Sequence, residues 1–333
     1  MRDEPADLGA DTVATLLRDH WRLDVQTTTY APVGFGSHHW IAADGDGARW
    51  FATADVLTPR GHQLEHTADE VFANIAAAMT SASELARRGL EFVLAPIPDT
   101  GGVLVRRVRQ EWSLHVHPFV SGWSTDGGAW TDHAERERIG HILGRRHTTD
   151  PPKAMPHWRP DLPHRAALRS ALDDVDTPWD AGPYAEPTRR LLAETGADID
   201  TLLDRYDTLA RKVEASTAPW VITHGEPHSA NAVRTADGRL YLVDWGSIKL
   251  APRERDLANA FDDLQIGADI LPAYRRAAGD VAPRAEAVRL FRLWWQLAEI
   301  GEYVRLFRHP HALTVDTAES WNNLQHYVPP AES

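Results

Sequence analysis

The chain has 333 residues, 43% hydrophobic and 25% charged, which is enough apolar material for a soluble globular protein of two lobes. A formal net charge of −13 speaks against a nucleic-acid backbone as main partner and favours cationic ligands. With no cysteine, a disulfide scaffold and thiolate metal sites are excluded, and the composition fits a reducing cytoplasm.

The opening stretch MRDEPADLGADTV lacks the apolar core of a signal peptide. Apolar spacing from Asp11 to Trp21 predicts a short amphipathic helix with Asp11 as its cap. Val25 to Val33 and His39 to Ala43 read as strands around GFGSHH, and Asp44-Gly45-Asp46-Gly47 turns the chain into a third strand, Arg49 to Leu57. Gly34 and Gly36 suit a loop that brings backbone N–H groups to phosphates, although two glycines so spaced are by themselves an ordinary turn. Thr67-Ala68-Asp69-Glu70 is a capping box opening a helix that runs to Arg88 and stops at Gly89. Val93 to Ile97, Gly102 to Val108 and Trp112 to Val116 are predicted to complete an antiparallel sheet.

Beyond the strands the pattern turns helical. Glu135 to His147 places Ile139, Ile142 and Leu143 on an inner face, and the prolines of Pro151 to Pro163 impose a loop in which Trp158 is either a binding platform or an anchor. Helices are predicted at His164 to Val175, Pro187 to Ala215, Arg255 to Gln265, Ile270 to Ala278 and Arg284 to Phe307. Arg292, Glu299, Glu302 and Arg305 interrupt the last of these, so it does not span a membrane, and Trp294 and Trp295 read as core. Residues 173–207 hold ten acids against Arg189, Arg190 and Arg205, which is either a solvated helix face or an acidic wall for a cationic ligand.

The densest chemistry lies in VITHGEPHSANAVRTADGRLYLVDWGS, Val221 to Ser247. Val221 to Thr223 reads as a strand, His224 to Asn231 as a polar loop, and Asp237-Gly238 as a two-residue hairpin turn that sets Asn231 opposite Asp244. An amide oxygen and a carboxylate then meet beside Glu226, hard ligands for Mg²⁺ next to a proton acceptor. Taken singly, Glu226 is a loop carboxylate and Asp256 a helix cap, and His224, Glu226 and His228 alternate as a zinc site would, but Pro227 breaks such a strand.

His224-Gly225-Glu226-Pro227-His228, closing on Asn231 and followed by Asp244-Trp245 and Asp256-Leu257-Ala258, resembles the signature of the aminoglycoside phosphotransferase family. One letter departs: Glu226 stands where the family has a catalytic Asp. The resemblance implies a two-lobed α+β fold of protein-kinase type, with a nucleotide-binding lobe over 1–117 and a helical catalytic and acceptor-binding lobe over 118–333. It implies ATP or GTP and Mg²⁺ as cofactors, with Asn231 and Asp244 as metal ligands, Glu226 as base, and His224 with Asp256 bracing the loop. Gly34, Phe35, Gly36, Ser37 and His38 correspond to the loop over the phosphates, and His117 to Gly122 to the hinge, where the Pro118 carbonyl accepts from the base and the Val120 N–H donates to it. Such a kinase keeps a lysine on the third strand; here that position is Thr53, and the only lysines are Lys153, Lys212 and Lys249. His38, His39, Arg49 and Arg106 are the nearby substitutes, and the alternative is a degenerate kinase fold that binds nucleotide without transfer. The implied acceptor is a small cationic antibiotic or metabolite; nucleic acid and membrane are not implied partners, and no oligomeric state is.

Overall fold

The computed structural model describes residues 3–34, 36–57, 67–125, 128–260 and 264–329. An antiparallel sheet in the order β1-β2-β3-β5-β4 is formed by β1 (Thr27–Ala31), β2 (His38–Ala43), β3 (Arg49–Val56), β4 (Val105–Val108) and β5 (Trp112–Pro118). Strand alternation sorts it into an apolar and a polar face. Trp40, Ala42, Ala52, Ala54, Leu114 and Val116 are buried with Val13, Leu17 and Trp21 of α1 (Ala10–Leu16) and the π-type turn after it. Each large side chain so buried contributes about 1.5–3 kcal/mol. The other face carries, in rows across β2, β3 and β5, Ile41-Phe51-His117 and then His39-Thr53-His115, with Asp55 opposite Ser113 beyond.

α2 (Ala68–Arg87) begins as predicted: Glu70 N–H donates to Thr67 Oγ1, and the Glu70 carboxylate accepts from Thr67 N–H at 2.7 Å. Its buried face, Met79, Ala82 and Leu85 among others, packs with Trp245, Leu242 and Leu143, which ties the sheet-bearing part of the chain to the helical part.

The rest comprises α3 (His133–His147), α4 (Arg165–Asp173), α5 (Ala185–Glu214), β6 (Val221–Thr223), β7 (Ala232–Arg234), β8 (Leu240–Leu242), β9 (Lys249–Ala251), α6 (Glu254–Ala260), α7 (Leu264–Ala278), α8 (Ala285–Arg308) and α9 (Val315–Tyr327). Leu203, Tyr206, Leu297, Phe307 and Leu324 build the core between α5, α8 and α9. Trp158 belongs to it, 5.2 Å from the Phe291 ring, and so anchors its loop. No helix among the described residues is long and apolar enough to cross a membrane.

Four local expectations are corrected. Asp11 does not cap the first helix: Gly9 is the N-cap of α1 and Asp11 lies in its first turn. Val93 to Ile97 is not a strand: Pro96 and Pro98 remove donors, leaving one bridge, Val93 to Leu242, and the Ile97 N–H on the Val116 carbonyl. The stretch from Gly102 is extended only from Val105, because Asp99 Oδ1 accepts from the Gly101 and Val103 N–H groups and holds a turn there. The hairpin turn has three residues, not two: Thr235 N–H donates to Arg239 O, with Gly238 left-handed at φ +83°, so the register pairs Ala232 with Leu242 and Asn231 with Val243.

Candidate active site

One buried carboxylate organises the loop between β6 and β7. Asp256, the third residue of α6, accepts at Oδ2 from the His224 N–H (3.1 Å), from His147 Nε2 (2.9 Å) and from Arg146 Nη2, and at Oδ1 from the Gly225 N–H (2.8 Å). Burial alone would raise its pKa, but the Arg146 charge, His147 and the backbone donors outweigh burial and hold the carboxyl far below the usual range. Gly225 is the residue this clamp requires. Its φ is +102°, and a β-carbon there would lie 2.3 Å from the Arg255 guanidinium, itself fixed on Thr223 Oγ1.

His224 is fully buried, edge-on to Trp245 at 4.7 Å, and burial next to Arg146 pushes its imidazole down to about 3. In this neutral ring Nδ1 accepts from the Glu226 N–H and Nε2 donates to the Val243 carbonyl at 2.8 Å. Both nitrogens are spent, so His224 is a brace and not a metal ligand. Among the described residues no group of three or more His, Cys, Asp or Glu side chains is arranged to hold a metal.

Glu226 follows, with its carboxylate partly open to solvent and Oε2 3.8 Å from His228 Nε2. Burial would raise it; the neighbouring His228, then His224 and Arg255, keep it below the ordinary value and hence ionised. Asn231, in a 3₁₀ turn, donates from Nδ2 to the Glu226 carbonyl (3.1 Å), which commits the amide nitrogen and leaves Oδ1 as the atom to offer a cation. The corrected register puts Asp244 one step past the ladder, in the left-handed region (φ 60°, ψ 63°), with its carboxylate open to solvent but walled by protein. That wall, then the charges of Glu226 and Asp55, push its pKa up, a concentration of negative charge that a divalent cation would relieve.

The polar face of the sheet supplies the opposite wall. Thr53 is buried there, its Oγ1 3.1 Å from His39 Nδ1. Ser37 donates to Asp55 Oδ1 at 2.6 Å, so its hydroxyl is committed, and Phe35 lies outside the described residues. His38 faces the other way: it pairs with Ala54, reaches Tyr30 Oη at 3.0 Å and meets Trp112 edge-on, so the structure removes it from the expected phosphate loop. At the expected hinge, Phe119 N–H donates to Arg49 O. By the parity of that ladder Pro118 sits at a non-hydrogen-bonded pair with Trp50, and its carbonyl points away from β3. The chain then passes Val120 to pair Trp123 with Arg234.

Sequence reasoning missed Arg146, His147 and Asp55. Arg146 was detectable: it continues the Ile139, Leu143 spacing on the inner face of α3, where a charged residue implies a buried partner. Asp55 shares the face of Thr53 by alternation, and hydrogen bonds from His115, Ser37 and Ser113 overcome burial to bring its carboxyl down to about 2. The acid-rich segment is not a bare wall either, since Asp174, Glu186, Asp200 and Asp207 are ion-paired with Arg308, Arg189, Arg169 and Arg165.

The model of the phosphotransferase enzyme family (APH) matches residues 109–291. Protein StrN of Streptomyces griseus is 31% identical over 74% of this chain and 74% of its own. Among solved structures, the spectinomycin phosphotransferase APH(9)-Ia in complex with ADP and spectinomycin superposes with a TM-score of 0.75 at 16% identity, over 97% of this chain and 95% of the other. The amicoumacin kinase hAmiN in complex with AMP-PNP, Ca²⁺ and Ami does so with a TM-score of 0.61 at 13% identity, over 96% and 94%. The two-lobed kinase-like α+β fold is common to them and this chain.

Proposed function

The chain belongs to the phosphotransferase enzyme family, and from that premise we propose that it transfers the γ-phosphoryl group of ATP or GTP to a hydroxyl of a small, cationic antibiotic or metabolite of aminoglycoside-like kind. The observation that carries this reading is an ionised Glu226 carboxylate beside Asn231 and Asp244, on a loop whose first two N–H groups are clamped by buried Asp256. Residues 1–117 then act as the nucleotide-binding lobe and 118–333 as the catalytic and acceptor-binding lobe, with the Pro118 carbonyl and Val120 N–H receiving the base.

Mg²⁺, held by Asn231 Oδ1 and the Asp244 carboxylate, would neutralise charge on the nucleotide's phosphates. Glu226 aligns the acceptor hydroxyl and takes its proton late in transfer, because in a loose transition state the attacking oxygen is still largely protonated. Asp256, with Arg146 and His147, fixes the backbone from which Glu226 projects, and neutral His224 sets the direction of the Glu226 N–H. Support for a cationic acceptor comes from the formal net charge of −13. The nucleotides and antibiotics held by the structurally similar kinases are in line with the same reading.

One observation favours a second reading, a nucleotide-binding protein without transfer: Thr53 brings no charge to the phosphates. Incubating the purified protein with Mg²⁺, ATP or GTP and a panel of cationic antibiotics, then seeking by mass spectrometry an acceptor that has gained one phosphoryl group, separates the two. A phosphorylated acceptor supports transfer, whereas nucleotide binding with no product from any acceptor supports the second reading.

A further inference from the structure

Resting on the nucleotide-binding reading above, we propose that His39 supplies the cation that β3 lacks, taking up a proton from solvent as the nucleotide's phosphates settle beneath Gly34 and releasing it when they leave. A third-strand lysine serves the α- and β-phosphates of a kinase-bound nucleotide, so a chain with Thr53 there must draw that charge from elsewhere on the same face.

The structure narrows the choice. Arg49 lies over the Phe119 ring at 4.0 Å and bonds Ser121 Oγ at 2.8 Å, at the far end of β3. Arg106 is taken by Asp99 at 2.5 Å and Arg107 by Asp69, while His38 is on the other face. Of the three histidines on the polar face, His115 uses both nitrogens, on Asp55 (3.3 Å) and on His117 (2.8 Å), and His117 lies one row nearer the hinge. His39 is left. Its Nδ1 is 3.1 Å from Thr53 Oγ1, its ring stacks on Phe51 at 5.0 Å and 29°, and its Nε2 points under the glycine loop, where a β-carbon built on Gly34 would come within 3.4 Å. Gly34 holds φ +69°, a left-handed conformation that favours glycine, and this lets the loop backbone lie close over the imidazole.

A histidine in this place differs from a lysine in being neutral until it is used. Burial pushes His39 down to about 4; Asp55 opposes this, and His115 and His38 add to it. One phosphate charge about 4 Å from the ring, at an effective dielectric of about 20, multiplies its proton affinity about a thousand-fold. That carries the ring toward imidazolium near neutral pH, so that nucleotide binding and proton uptake become one event.

Calorimetry of Mg²⁺-ATP binding near neutral pH, in buffers of different ionisation enthalpy, measures the protons taken up. The wild-type protein is expected to take up about half a proton at pH ~7 with ATP and none with AMP, which lacks the outer phosphates. His39→Gln should abolish the uptake and weaken ATP binding by about ten-fold or more while leaving AMP binding unchanged, a pattern that a folding defect would not give. His39→Lys should restore ATP affinity without proton uptake. Wild-type binding of ATP with no proton uptake, or His39→Gln with an unaltered preference for ATP over AMP, overturns the assignment of His39 and leaves phosphoryl transfer standing. A wild-type protein that binds neither nucleotide overturns both.

Discussion

Replacing Asp256 by Asn tests whether one buried carboxylate holds the loop that bears Glu226. The amide is isosteric but neutral, and it presents N–H groups to a set of partners that are all donors: the His224 and Gly225 N–H groups, His147 Nε2 and Arg146 Nη2. Only one oxygen remains to accept, and the Arg146 side chain, fully buried, loses its counter-charge. Leaving a buried charge uncompensated costs about 3–5 kcal/mol. Arg146 keeps the Ile222 carbonyl at 3.2 Å and a distant cation–π contact with Trp245, so the lower part of that range is expected. For a chain of this size that is a fall in Tm of about 4–5 °C. Thermal unfolding followed by circular dichroism reads it, and Arg146→Met with the double variant completes the cycle: the double should cost less than the sum, because no lone charge is then left buried. The depressed Asp256 pKa sets the pH dependence. Its stabilisation is present above the unfolded carboxyl's pKa and is lost only as pH falls below it, so the gap between wild type and Asp256→Asn should persist at pH ~5 and shrink in stronger acid. A Tm within about 2 °C of wild type at neutral pH, on the same scale, would refute the clamp.

Asp244→Ala is expected to abolish the Mg²⁺ dependence of nucleotide binding, measured by calorimetry, and unchanged affinity with unchanged Mg²⁺ dependence would remove Asp244 from the metal site. Gly225→Ala must place a β-carbon against the Arg255 guanidinium at a positive φ, which should destabilise by about 2–4 kcal/mol in chemical denaturation; a wild-type midpoint would show that the loop can rebuild. Glu299 is raised to about 7 by burial, against a hydrogen bond from Tyr303, with Glu226 and Glu302 pushing the same way as burial. Its folded pKa exceeds the unfolded one, so the native state binds more protons and stability falls as pH rises through the window between about 4.5 and 7. Glu299→Gln should therefore raise Tm at pH ~8 and change it little at pH ~5, and an equal effect at both would exclude this titration.

What was legible in the chain was whatever depends on local chemistry. The Thr67 to Glu70 capping box, the α3 and α8 apolar spacings and the His224 to Asp256 motif all reappear as elements or as one connected site, because caps and helical periodicity are decided within a few residues. The hairpin shows the limit. Asp237-Gly238 signals a turn, but only the backbone shows that Ala236 joins the loop and moves Asn231 from Asp244 to Val243. Long-range placements were hidden: the α3 spacing implies a buried partner for Arg146 but does not say that it is Asp256, 110 residues on, and the side of the sheet that His39 takes follows from a register that no strand carries by itself. α9 was missed because its polar stretch holds few apolar residues, with Leu324 and Ser320 alone fully buried.

The account turns on Glu226, and steady-state kinetics of Glu226→Gln with a phosphorylated acceptor in hand tests it most directly. The substitution keeps the shape and removes the charge that orients the hydroxyl and accepts its proton, so kcat should fall about 10²-fold or more with nucleotide affinity unchanged. Glu226→Asp, which draws the carboxylate back by about one bond length of 1.5 Å, should be impaired to a smaller degree. A Glu226→Gln enzyme with the wild-type kcat would contradict the mechanism.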